Sequence, residues 1–150
     1  MSWNVAFIIM SLCFLLGPII LIFLPANNKI MESKEKDIGY FDRVIHHEVF
    51  HVIYDTFKEI FDENTWSSYN PKEFNYAECS TCTKKIGLET YSNPSGFITE
   101  YSQSTAAEDM AEVFSHLMYG SLPNTIDPIL KKKIEFIKDA LLKIDDDFIL

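Results

Sequence analysis

His47, Glu48 and His51 stand in the spacing H-E-x-x-H, inside the run Arg43 to Tyr54, RVIHHEVFHVIY. On an α-helix, positions four apart lie one turn above one another on the same face, so both imidazoles can offer a ring nitrogen to one metal ion. This constrains the fold more than any other feature: the segment has to be helical, and another element has to bring a further ligand. Glu48 follows the first histidine, where a carboxylate can take a proton from a metal-bound water and return it to a leaving group. Val44, Ile45, Val49, Val52, Ile53, Phe57, Ile60 and Phe61 recur at helical spacing, with no proline or glycine from Phe41 to Phe61. The pattern predicts a helix that ends near Asp62. His46 lies about 100° around that helix from His47 and is expected to be a neighbouring polar contact.

Two histidines alone hold zinc poorly, and a tetrahedral site that keeps one position open for water takes three protein ligands. The stretch SQSTAAEDMAEVFSHLMYG supplies a second helix: Ala106, Met110, Val113, Phe114, Leu117 and Met118 form an apolar stripe, and Gly120 is placed to stop it. Glu108 and Glu112 stand one turn apart on this helix. Locally, Thr105 to Glu108 reads as a capping box, in which Glu108 only satisfies a backbone N–H at the helix start. Set beside the histidine pair, Glu108 is the candidate third ligand. His116, two turns further on, is too distant to join the same ion and is expected on the surface or in the core.

The chain of 150 residues, with a net charge of -9, is long enough for one modest domain and shows no basic face or motif that would read nucleic acid. Val5 to Leu24 carries no charged residue and as a helix would span about 30 Å, the thickness of a bilayer core. The expectation is a transmembrane anchor or uncleaved signal over 1–28, a polar juxtamembrane linker over 29–39 and a folded domain over 40–150. This makes a single-pass membrane protein. Its domain is cytoplasmic by the bias of Lys29, Lys34, Lys36 and Arg43, or exported if the segment acts as a signal.

Between the two helices the chain is rich in turn formers. Cys79 and Cys82 form a single C-x-x-C with no second pair to complete a zinc site, and read as a turn with free thiols or one local disulfide. Lys85 to Tyr91 and Gly96 to Tyr101 are expected as two short strands or extended segments. Asp127-Pro128 starts a last amphipathic helix that runs to about Ile144.

Taken together, HHEVFH, WSSYNPKEFNY and GFITEYSQSTAAEDMAEVFSHLM resemble the gluzincin metallopeptidases. They are closer still to a bacterial-type family of putative zinc-binding metallopeptidases, and the last of them is also similar to the catalytic domain of anthrax lethal factor. The resemblance runs from about Tyr40 to Gly120. It implies zinc held by His47, His51 and Glu108, with Glu48 as catalytic base. It also implies that Tyr101, seven positions before Glu108, stabilises an oxyanion, and that Glu112 fixes the ring of a zinc histidine. The expected fold is mainly α (α+β): a zincin-like domain with two ligand helices, few short strands and an N-terminal transmembrane helix. Peptidases of this type align an extended substrate on a sheet before the metal helix. Here a linker and the apolar segment stand in that place, so the cleft is built from later segments or the chain is a reduced relative. The expected activity is a membrane-tethered zinc metallopeptidase acting on a peptide or protein. The alternative is a non-catalytic, zinc-stabilised binding or scaffold domain, a pseudopeptidase.

Overall fold

The computed structural model describes residues 28–148, with side chains from Gly39 onward. The chain divides into two units, Met1–Asp37 and Ile38–Leu150, and everything below except the first turns of one helix belongs to the second. That helix, α1 (Asn28–Thr56), begins earlier than its apolar pattern, so residues 29–39 are helical rather than an open linker. Gly39 sits within it where a side chain would collide with the Tyr119 hydroxyl, which explains a glycine inside a helix.

α1 stops at Thr56, short of Asp62, although Phe57, Ile60 and Phe61 continue the helical spacing. Burial decides the difference. A turn closed by Ile60 N–H to Phe57 C=O (2.9 Å) swings Phe61 back so that its ring meets Phe50 edge-on at 5.2 Å. Asp62 is thereby freed to cap the next helix, α2 (Glu63–Ser68), accepting from Thr65 N–H at 2.8 Å. α2 places Trp66 fully inside the core.

From Tyr69 to Thr105 the chain is irregular, with 3-10 turns at Ser80–Cys82 and Tyr101–Gln103. Cys79 and Cys82 are joined by a disulfide. The short strands expected here do not form among the described residues. Tyr91 N–H bonds Ile98 C=O at 2.7 Å and Tyr101 N–H bonds Gly87 C=O at 2.9 Å, but these isolated pairs do not extend into a ladder. Ser95 and Gly96, both at positive φ, lie in the turn between the two segments, and the second passes into the 3-10 turn at Tyr101–Gln103.

α3 (Ala106–Tyr119) starts at Thr105, whose hydroxyl accepts from Glu108 N–H at 3.2 Å, and ends at Gly120 in the left-handed conformation. α4 (Pro128–Ile144) starts on Asp127, which accepts from Ile129 and Leu130 N–H. α3 packs on α4 and on α2, with Phe50, Trp66, Met110, Phe114, Leu130, Ile137 and Leu141 closing the core. Each such side chain contributes roughly 1.5–3 kcal/mol on leaving water.

The expected transmembrane helix, Val5 to Leu24, lies outside the described residues. Against the single-pass localisation read from the sequence, no helix among the described residues is long and apolar enough to cross a membrane.

Candidate metal centre

α1 carries Arg43, His47 and His51 at successive four-residue steps, and α3 carries Glu108, Glu112 and His116 in the same way. The two stripes meet in antiparallel order. Arg43 Nη1 donates to both Glu112 oxygens at 3.0 and 3.1 Å and lies 3.2 Å from His116 Nε2. His47 Nδ1 lies 3.0 Å from Glu112 Oε1, and His47 Nε2 lies 3.0 Å from Glu108 Oε2. His51 Nε2 stands 3.2 Å from that same Glu108 oxygen and 3.3 Å from His47 Nε2.

His47, His51 and Glu108 therefore turn one donor atom each towards a common point. Four-coordinate zinc with bonds of about 2.1 Å needs ligand atoms roughly 3.3–3.4 Å apart, so the triangle fits a zinc ion with little adjustment. Two imidazole nitrogens facing each other at 3.3 Å beside a carboxylate oxygen suit a shared cation better than they suit each other. Glu108 serves its backbone and its side chain separately. Its N–H completes the cap on Thr105 while its carboxylate points to the histidines, so the cap leaves the carboxylate available to a metal.

Glu112 fixes the first histidine. A carboxylate can only accept, so His47 Nδ1 carries the proton and, when neutral, leaves the Nε2 lone pair for a metal. Glu112 is almost wholly buried, and burial alone would raise its pKa. The His47 bond and the charge of Arg43 outweigh this and hold it below the usual range. Thr99 Oγ1 gives it a further bond at 2.9 Å. His116 is buried too, and burial lowers its pKa. It is neutral, donating from Nδ1 to Ser121 C=O at 3.0 Å and accepting from Arg43 at Nε2.

The histidines and Glu108 pair electrostatically. Burial works against protonation of His47, but the two carboxylates prevail and raise its pKa from 6.5 to about 9. Burial likewise opposes the ionised Glu108, yet His47 and His51 hold it well below the usual carboxylate range. Tyr101, on the 3-10 turn just before α3, sets its ring 6.0 Å from that of His47. Burial, then the Glu108 charge, push its phenol up to about 12, so it keeps its proton. Glu48 is exposed, and no side chain among the described residues hydrogen-bonds its carboxylate. His46 faces away from the cluster, edge-on to Phe114.

Residues 22–144 match a family described as "Putative zinc-binding metallo-peptidase". The chain belongs to this family. Membership accounts for a zinc-binding site and implies a peptide or protein as substrate. No curated protein and no solved structure matches the chain.

Arg43, Thr99 and a second buried network are not among the residues singled out by motif. In that network Asp109 Oδ2 accepts from Lys133 Nζ (2.6 Å), Tyr76 Oη (2.6 Å) and Trp66 Nε1 (3.0 Å). Burial raises Asp109 and lowers Lys133, outweighing their mutual attraction. The signal lay in phase: Lys133 falls between Leu130 and Ile137 on the apolar side of α4, and Arg43 falls one turn before His47.

Proposed function

We propose that this member of the family is a zinc-dependent peptidase that hydrolyses peptide bonds, with His47, His51 and Glu108 as the metal ligands. The observation that carries the reading is the donor triangle, its three edges 3.0, 3.2 and 3.3 Å long. Zinc held there supplies Lewis acidity towards a carbonyl oxygen and lowers the pKa of a water. The chain's own residues do the rest. Glu48, solvent-facing and next in sequence to a ligand, takes the proton of the attacking water and returns it to the departing amine. Tyr101, protonated at working pH, donates to the oxygen that gains charge as the carbonyl becomes tetrahedral. Glu112 keeps His47 in the tautomer that binds through Nε2, and Arg43 balances the buried charge of Glu112.

Glu48→Gln separates this function from that of a zinc-stabilised scaffold. Turnover of a peptide pool is expected to fall at least about a hundredfold, with one zinc per chain retained. Loss of zinc in Glu108→Ala, measured by elemental analysis, tests the ligand set. A folded protein that takes up no zinc refutes the reading outright.

A further inference from the structure

We propose that the Cys79–Cys82 bridge is a redox modification site, opened by a dithiol and closed again by oxidation, whose state sets how firmly Tyr101 is held beside the metal centre. Its effect on turnover rests on the peptidase reading, to which it adds a control on the same site.

The bridge sits in a loop that clamps the turn carrying Tyr101. Ala77 N–H donates to Ser104 C=O at 2.9 Å before the bridge, and Lys85 Nζ donates to Gln103 Oε1 at 3.2 Å after it. Gly87 adds two more ties, its N–H donating to Glu100 Oε2 at 2.9 Å and its C=O accepting from Tyr101 N–H at 2.9 Å. All four end on the stretch from Glu100 to Ser104, whose Tyr101 ring stands against that of His47. Ser80, the first residue inside the bridge, sets its hydroxyl against the Tyr101 phenol. Between the ties, among the described residues, no backbone hydrogen bond joins 78–84 to the rest of the domain. The S–S bond closes this stretch covalently where the hydrogen-bond network does not.

The sulfurs are unequal in a way that suits exchange. Cys82 is exposed and open to an attacking thiolate, while Cys79 is half-buried. Thr81 Oγ1 lies 3.4 Å from Cys79 Sγ and, since a bridged sulfur has no proton, its hydroxyl donates. Attack on Cys82 Sγ breaks the S–S bond and expels Cys79 as a thiolate beside that hydroxyl, where it takes up a proton. The second thiolate of the reagent then displaces Cys82 and closes the reagent's own disulfide. The cysteine pair gains two electrons and two protons, and the dithiol loses the same. Once open, the turn around Ser80 loses its covalent closure, and Tyr101 loses a support on the side away from α3.

The test equilibrates the full-length, zinc-loaded protein with graded mixtures of reduced and oxidised dithiothreitol in a zinc-buffered solution, with the bridge read by alkylation and mass. As the bridge opens, kcat on a peptide pool is expected to fall about tenfold, with KM and one zinc per chain held, and to return on reoxidation. Amide exchange by NMR is expected to quicken about tenfold at Ala77 and Tyr101 and to stay unchanged at Ala111 and Val113 in α3. Cys79→Ser combined with Cys82→Ser is expected to show the low kcat in every mixture. A bridge that the reduced reagent does not open overturns the proposal. So does an opened bridge with kcat and the two amides unchanged, or a double variant whose kcat still follows the mixture, which would place the effect on the metal. Absence of turnover by the bridged, zinc-loaded protein defeats the peptidase reading instead. The amides then decide alone: quickened exchange on opening upholds the hold on Tyr101, and unchanged exchange overturns it.

Discussion

Glu112 ties the site together, because three polar groups donate to its two oxygens: Arg43 Nη1, His47 Nδ1 and Thr99 Oγ1. Glu112→Ala leaves the Arg43 charge buried without its counterion. The expected cost is about 3–5 kcal/mol of stability by urea unfolding. Glu112→Gln keeps the shape and tests the tautomer instead, with zinc affinity expected to fall about ten- to a hundredfold in a chelator competition. His47 gives the pH dependence. Its folded value of about 9 lies above the ordinary 6.5, so in metal-free protein its protonation contributes stability in full below pH 6.5. That contribution disappears as the pH rises through about 9. Zinc competes with the same proton, so its affinity is expected to climb about tenfold per pH unit between 7 and 9 and then level off. A flat profile in a buffered competition titration would contradict this assignment.

α3 is read differently on its two sides, since Glu108 and Asp109 are adjacent in sequence and point to different networks. Glu108 turns to the histidines, while Asp109 turns inward to Lys133 on α4, Tyr76 and Trp66. α3 is thus fastened in the core one residue from Glu108, the candidate ligand. Lys133→Met is expected to destabilise by about 3–5 kcal/mol, because Asp109 is left buried without its ionic partner. Lys133→Met combined with Asp109→Asn is expected to recover part of that loss in denaturant unfolding, since no unpaired charge remains. Zinc affinity in the single variant, measured where it is still folded, reports how far the core anchor places Glu108. Parallel weakening is the expected outcome.

Over the whole molecule, the sequence reveals what repeats with a helix's period and conceals what depends on contacts far along the chain. The apolar stripe of α3, the Thr105 and Asp127 caps and the Gly120 stop are local chemistry, and each stands where its residues place it. The end of α1 is not local. Phe57, Ile60 and Phe61 argue for more helix, and only the packing of Phe61 on Phe50 cuts it short. The strands are not local either: Ile86 and Leu88 have strand propensity, but their neighbour meets the segment at Gly87 alone and passes into the 3-10 turn at Tyr101–Gln103. His47, His51 and Glu108 could be read from donor chemistry, whereas Arg43 and Thr99 became visible only when Glu112 was seen to need partners. Chelating the metal is expected to lower the thermal midpoint while α-helical circular dichroism at 25 °C is kept, because the core of Phe50, Trp66, Phe114 and Ile137 does not involve the ligands.

The distance along the chain between those ligands also sets an order of maturation. His51 and Glu108 are 57 positions apart. An unfolded chain that gathered all three donors would close that loop first, at a cost of about 4 kcal/mol, or nearly a thousandfold in affinity. The folded chain has already closed it. A newly made molecule therefore competes poorly for zinc until α1 and α3 have met, so folding comes first and metal loading second.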